Sequence, residues 1–292
     1  MTIFSFLLFF SILFDSSPVI AQVHPGLENF SLSAKNEAEV LFARGRYKES
    51  IEKYKEVLKS EAETSYIFRS MLKAWKAMDD LSSAEKFLNT YQTSISTHVW
   101  YAFGYLNYLQ EDYLNAEKSF KQAVKLDSEN GLAWNNLGAI LSEKEQYKLA
   151  VKNVKRAIEV NPREPIFVWN LHAIYKKMGE LDRFANEYKH LLQRKSKQRA
   201  ITYGKVLARV IRQKAFGLYS KGELDNTILR FEEMLKIYQE IDDIKGQVPV
   251  FFSLGLLHEE KGNIKKSQEY FTHVLSINPN HIQAKDKINT RN

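Results

Sequence analysis

GLAWNNLGAILSEKEQYKLAVKNVKRAIEVNPRE, residues 131–164, is the stretch whose reading decides the fold. It divides into two short amphipathic segments around a tight turn. Trp134, Leu137, Gly138 and Leu141 follow one another at spacings of three, one and three, which puts them on one face of a helix. Tyr147, Ala150, Val154 and Ala157 do the same in a second helix. Asn161-Pro162 then ends the stretch, because proline cannot donate to a helix ladder and disfavours helix in the residue before it. Gly138 and Ala150 are small, so the two helices can approach closely.

Working outward, the pattern returns. Residues 97–130 carry Trp100, Phe103, Gly104, Tyr113, Ala116, Phe120 and Ala123. Residues 248–281 carry Phe251, Leu254, Gly255, Gly262, Ser267, Phe271, Val274 and Pro279. This spacing resembles the tetratricopeptide repeat, a helix-turn-helix of about 34 residues with the pattern W-x2-L-G-x2-Y, A-x3-F, P. Weaker copies fill the rest. Residues 31–64 hold Gly45, Tyr47, Ser50, Tyr54 and Val57 in the second half, and Ala34, Ala38 and Leu41 in the first. Residues 65–98 keep the periodicity through Phe68, Met71, Leu72, Trp75, Leu81, Ala84 and Leu88 but lack the glycine. Residues 165–198 begin with Leu171, Tyr175 and Gly179, then set Phe184 where a small residue is expected. The phase slips across 199–207, and residues 208–241 resume it with Ile211, Ala215, Leu218, Gly222, Leu224, Phe231 and Met234. The expected fold class is therefore all-α, an α-solenoid of six to seven such helix pairs. Repeats one to five occupy 31–198 and repeats six and seven occupy 208–281, with a basic segment between them at 199–207. Residues 282–292 form a polar cap or tail, as open arrays need at their ends. The competing reading is a non-repetitive helical bundle.

The first 21 residues differ from the rest. Ile3 to Phe14 is almost wholly apolar, Asp15-Ser-Ser-Pro18 interrupts it, and Val19-Ile20-Ala21 sets small residues before Gln22. This is similar to a secretory signal peptide, apart from having no Lys or Arg ahead of the apolar run. The expectation is export, to the periplasm or beyond, with 22–30 as a short lead-in. The rival is an uncleaved anchor, although the apolar run falls short of the roughly 20 residues that span a bilayer.

Composition excludes several chemistries. With no cysteine there is no disulfide, thiolate metal site or cysteine nucleophile. His258-Glu259-Glu260-Lys261-Gly262 begins like a zinc-protease motif, but Gly262 stands where the second histidine ligand belongs. No phosphate-binding loop, dinucleotide fingerprint or nucleophile elbow occurs. His172 takes the place of the usual glycine and reads as a packed residue. No catalytic residue, metal or cofactor is expected, and the chain reads as a non-enzyme.

Function then has to come from a surface. The resemblance implies that the first helices of successive repeats line a concave face. Carried onto this chain, it nominates Arg69, Lys73 and Lys76, then Tyr101, Tyr105 and Tyr108, then Asn135 with Ala139 and Ser142. Further along it nominates Trp169 and Lys176, then Lys205, Arg209, Arg212, Phe216 and Tyr219, then Phe252 with Leu256 and Glu259. Tyr, Trp and Arg dominate binding hot spots. Such a surface suits a protein or peptide segment with acidic and apolar side chains. The tyrosines could equally be ordinary packing between helices. The carboxylate clamp of some relatives is absent: only Asn136 matches, while Tyr101, Tyr105, Ile166 and Asn170 hold the flanking places. Nine of the Lys and Arg residues fall between Tyr188 and Lys214 with no acid among them, in a chain of formal charge +7. That run suggests a second use, contact with a membrane surface or another anionic envelope component. Neither nucleic acid nor a small-molecule substrate is expected.

Overall fold

A computed structural model describes residues 33–60, 64–91, 96–194 and 196–289. The signal-like segment 1–21 and the lead-in 22–30 lie outside them. The described residues form fifteen α-helices and no strand, in two units that divide between Val160 and Asn161.

The first unit holds α1 (Ala34–Ala43), α2 (Tyr47–Ser60), α3 (Ser65–Ala77), α4 (Leu81–Asn89), α5 (Thr97–Leu109), α6 (Tyr113–Leu126), α7 (Gly131–Glu143) and α8 (Tyr147–Val160). Each odd-numbered helix packs on the even one after it, and each pair packs on its neighbours, as in an α-solenoid. The opening stretch behaves as its spacing requires. Ala150, Val154 and Ala157 are fully buried, and Leu137 and Leu141 nearly so. A Cβ on Gly138 would collide with Val154 Cγ2 and sit 3.0 Å from the Ala150 carbonyl oxygen. In the neighbouring pair, a Cβ on Gly104 would lie 2.7 Å from Phe120. Trp134 is the exception to the expected core: it is half-buried, and its indole N–H donates to the Ser128 carbonyl at 2.9 Å.

The second unit holds α9 (Pro165–Met178), α10 (Leu181–Gln193), α11 (Lys197–Tyr219), α12 (Leu224–Glu240), α13 (Ile244–Glu260), α14 (Ile264–Ile277) and α15 (Ile282–Asn289). The segment 199–207 is the early part of α11, a single helix of 23 residues. Ala200, Tyr203, Gly204, Ala208, Ile211 and Ala215 give it one buried stripe from end to end. Gly204 lets it close on α10 and α12, where an added Cβ would stand 3.2 Å from Tyr188 and 2.9 Å from Ile241. Phe184 fills the place of a small residue by stacking on Tyr203, centroids 5.1 Å apart, and by meeting the edge of His172. At the end, α15 buries Ala284 within a cluster containing Phe252 and Phe271.

One turn recurs between the helices of all seven pairs. A residue with positive φ sits there: Gly45, Asp79, Glu111, Glu145, Gly179, Gly222 and Gly262. The next amide reaches back five residues to close it, as Gln146 N does to Leu141 O at 2.8 Å and Asn263 N to His258 O at 2.8 Å. The repeat thus persists in backbone geometry where its side-chain signature has faded.

Candidate functional site

In the first unit the nominated stripe runs over α3, α5 and α7. Arg69 and Lys73 are half-buried and Lys76 is exposed. Tyr101, Tyr105 and Tyr108 form a ladder of near-parallel rings, with centroids 6.0 and 6.1 Å apart and planes 11° off parallel. Helical spacing of four and three residues produces this stacking. Most of the ladder is sealed: Tyr101 is 0% and Tyr105 7% exposed, and Tyr108 is half-buried. Tyr101 packs on Phe120 at 5.6 Å, and its hydroxyl accepts from Asn136 Nδ2 at 3.4 Å. Burial pushes the Tyr101 phenol far above its ordinary pKa, against the pull of the Arg69 guanidinium. Burial raises Tyr105 too, and Arg69 reaches its hydroxyl. Asn135 is 2% exposed and donates to Asn136 Oδ1 at 3.1 Å. Tyr101 and Asn135 are therefore packing residues between helices and not surface for a partner. The exposed part of this stripe reduces to Lys76 with the partly covered Arg69, Lys73 and Tyr108.

In the second unit the stripe runs over α9, α11 and α13, and more of it is open. The Arg209 guanidinium lies over the Trp169 ring, 5.8 Å from its centroid, which joins α9 to α11. Arg209 and Arg212 both act on the Tyr238 phenol of α12, opposing the rise that burial gives its pKa. Phe216 meets Phe231 edge-on at 6.3 Å. Trp169, Arg209, Arg212 and Phe216 are all half-buried, and Lys176 is exposed.

Other members are committed to the chain itself. Lys205 Nζ pairs with Asp243 Oδ2 at 2.9 Å, and Asp243 caps α13 by accepting from Gly246 N at 3.0 Å. Tyr219 donates to Glu260 Oε2 at 2.9 Å; its pKa is pushed up to about 12 by burial and by that carboxylate. Phe252 is 4% exposed, set between Phe271 at 5.5 Å and His281 at 4.9 Å, and so belongs to the terminal core. Glu259 bonds Lys287 of α15 at 2.7 Å. The basic run is similarly divided. Lys197 and Lys205 face Asp242 and Asp243, at 3.7 and 2.9 Å, while Lys189, Arg194 and Lys214 are exposed.

Two features escaped the sequence reading. Asn130, the cap of α7, accepts from Ala133 N at 3.1 Å through Oδ1. Its Nδ2 donates to Ser65 Oγ at 3.0 Å and Thr97 Oγ1 at 3.1 Å, at the starts of α3 and α5. The near-regular spacing of Ser65, Thr97 and Asn130 was the available signal. The second feature is His258, 4% exposed and stacked on Tyr270 at 5.4 Å, whose ring nitrogens have no hydrogen-bond partner. Its pKa is lowered by burial first and then by Lys266. His172 is half-buried between Trp169 and Phe184, with ring centroids 6.1 and 5.1 Å away.

Among the described residues no group of three or more His, Asp or Glu could hold a metal ion. No described helix is long and apolar enough to cross a membrane. A cleft of about 570 Å³ opens between α5 and α6, over Trp100 and Phe103, away from the nominated stripe.

Comparison with known proteins agrees with the helix pairing. A tetratricopeptide-repeat family model matches residues 97–130, 132–164 and 248–281. The chain is 24% identical over 177 residues to a TPR repeat-containing protein of Methanocaldococcus jannaschii, covering 60% of this chain and 28% of that one. It is 25% identical over 204 residues to the human protein O-mannosyl-transferase TMTC3, covering 60% of this chain and 22% of that one. The chain thus spans about a quarter of the length of the curated relatives it matches. Among solved structures, the C-terminal part of a TPR repeat-containing protein from Cytophaga hutchinsonii aligns with 86% of this chain and 98% of its own, at 14% identity and a TM-score of 0.41. Three segments of this chain, 97–130, 132–164 and 248–281, thus match the tetratricopeptide repeat, and the same helix pairing runs through the other described residues.

Proposed function

We propose that this tetratricopeptide-repeat chain is an exported, non-enzymatic scaffold of the bacterial periplasm, serving in the assembly of an envelope complex. Its partner is a protein or peptide segment with acidic and apolar side chains. The observation that carries the reading is the group formed by Trp169, Arg209, Arg212 and Phe216. Arg209 covers Trp169, Arg212 and Phe216 follow Arg209 at helical spacing on α11, and all four are part-exposed. Aromatic rings supply apolar contact at low entropic cost, and guanidinium groups pair with carboxylates in a fixed geometry. Export rests on the apolar run Ile3–Phe14 and the small residues before Gln22. N-terminal sequencing of the mature protein should start at Gln22.

The interaction is tested by capture from envelope extract. The paired change Arg209→Glu and Arg212→Glu should release a partner that the unaltered chain retains. An unchanged set of captured proteins would refute the reading.

A second reading, adhesion to an anionic envelope component, draws on the exposed Lys189, Arg194 and Lys214. It is weakened by the carboxylates that face Lys197 and Lys205. It requires affinity for anionic vesicles or wall polymer that falls steeply with salt, so a salt-independent affinity would remove it.

A further inference from the structure

The cleft between α5 and α6 is a groove with two walls. Trp100, Phe103 and Asn107 follow at spacings of three and four on one face of α5. Asn115, Ser119 and Gln122 follow at four and three on one face of α6, with Lys118 beside Ser119. The turn at Glu111 reverses the chain, so Trp100 and Gln122 fall at one end of the groove and Asn107 and Asn115 at the other. From Trp100 to Asn107 the wall is about 10 Å long, at the rise of an α-helix. One repeat further on, the chain fills these places itself. Leu137 and Leu141 stand where Phe103 and Asn107 do, and both are buried, whereas Phe103 and Asn107 are half-buried. Asn153 and Arg156 stand where Ser119 and Gln122 do, and both are committed: Asn153 Nδ2 donates to the Leu149 carbonyl at 2.8 Å, and Arg156 pairs with Glu129 at 2.6 Å. The helix before α5 is also short. α4 has 9 residues where α6, the helix before α7, has 14, so less of α5 is overlaid.

We infer that this cleft is a binding site for a short uncharged oligosaccharide, lying along the Trp100–Asn107 wall. A sugar ring has an apolar C–H face, which suits the rings of Trp100 and Phe103, and an edge of hydroxyls that both donate and accept. A carboxamide does both in return, and Asn107, Asn115 and Gln122 place carboxamides at the two ends of the groove. Asn115 is set in advance: its backbone N–H and its Nδ2 donate to the Asp112 carboxylate at 3.1 and 2.7 Å, which leaves its Oδ1 to accept. Among the described lining residues none is a carboxylate or an aliphatic side chain, and Lys118 alone is charged. The apolar face of a partner helix would find no aliphatic side chains to pack on, and an acidic segment would meet a single ammonium. The volume of about 570 Å³ is that of a small-ligand site. This site lies in the first unit, the Trp169–Arg209 group in the second, and neither assignment depends on the other.

The test uses the full chain with 5-fluorotryptophan, which gives a 19F signal for each of Trp75, Trp100, Trp134 and Trp169, and the Trp100 signal is assigned with Trp100→Phe. The probes are trisaccharides of glucose, of galactose and of N-acetylglucosamine, with a blocked alanine tripeptide as the uncharged control that is not a sugar. A trisaccharide should shift the Trp100 signal saturably and leave Trp169 in place. Asn107→Leu, which copies the next repeat, and Gln122→Ala should each weaken that binding about two- to tenfold, the worth of one neutral hydrogen bond. Gln122 is exposed, so its loss leaves the fold intact, and unmoved Trp75 and Trp134 signals check this. If no trisaccharide moves Trp100, or if one does and both variants bind it as tightly as the unaltered chain, the site is refuted. A shift of Trp100 by the peptide alone refutes it too, and gives the cleft to an uncharged protein segment. Binding that falls steeply with salt would give it to an anion, with the same consequence.

Discussion

A single methyl group, added at two positions, separates helix propensity from helix crossing. In Gly217→Ala the new Cβ has nothing within 4 Å. The change should stabilise α11 by about 0.5–1 kcal/mol, because glycine in a helix interior loses more backbone freedom than alanine. In Gly138→Ala the helix gains the same amount from propensity, but the Cβ drives into Val154 Cγ2 and lies 3.0 Å from the Ala150 carbonyl oxygen. A side chain can rotate away; a backbone oxygen moves only if α7 and α8 separate. Overpacking of this kind costs about 1–3 kcal/mol. The propensity gain is common to both variants, so their difference isolates the crowding and should fall in that same range. Amide exchange suits the assay, since it reads α7–α8 and α11–α12 separately and does not require the whole chain to melt at once. Protection should drop over α7–α8 in Gly138→Ala and rise over α11–α12 in Gly217→Ala. Equal gains in protection would mean that the close crossing at Gly138 is wrong, and with it the register of the best-matching repeat.

Other outcomes follow from the same geometry. Asn130→Ala removes a helix cap and two side-chain bonds, one buried and one part-buried. It should cost about 2–3 kcal/mol in urea unfolding, and Asn130→Asp should recover only the cap's share, about 1 kcal/mol. Glu111→Gly and Glu145→Gly relieve a positive φ at turns where other pairs already use glycine; each should add about 1 kcal/mol, read as a rise in thermal midpoint. The pKa of His258 is lowered in the fold by its burial, so as pH falls the unfolded chain takes up that proton first. Its contribution is intact above about 6.5 and shrinks below it, at up to about 1.4 kcal/mol per pH unit until the folded ring also titrates. Burial lowers His172 and His281 in the same direction. Unfolding of the second unit between pH 7.5 and 5.5 should show this slope, and His258→Phe should flatten it.

Periodicity reads the burial side of a helix better than it reads the open side. Leu137, Ala150, Phe120 and Phe271 follow from spacing alone because a core position needs only the right angle and an apolar side chain. Tyr101, Asn135 and Phe252 carry the right angle for an inner stripe and are nevertheless covered. Their fate depends on what the next helix brings: Asn136 reaches Tyr101, and His281 seats against Phe252. The basic segment 199–207 concealed a continuous helix for a related reason. Its Arg199 and Lys205 look like a break in the apolar phase, yet Ala200, Tyr203, Gly204 and Ala208 keep a narrow buried stripe through it. The stripe nominates Trp169 and Arg209 separately, and their contact joins α9 to α11. The Asn130 bonds did not follow from the sequence, because the near-regular spacing of Ser65, Thr97 and Asn130 does not tell three separate helix caps from one side chain that bonds across three helix starts.

Those bonds alter how the first unit should come apart. An array whose members touch only the ones beside them frays from its ends, losing one member at a time. Asn130 ties the heads of α3, α5 and α7 to a single side chain, a coupling that skips over a neighbour. The middle of this unit should therefore open as one block or remain shut, while α1 and α2 peel away on their own. A force or a protease acting from the N-terminal side would meet a sudden stop at Ser65.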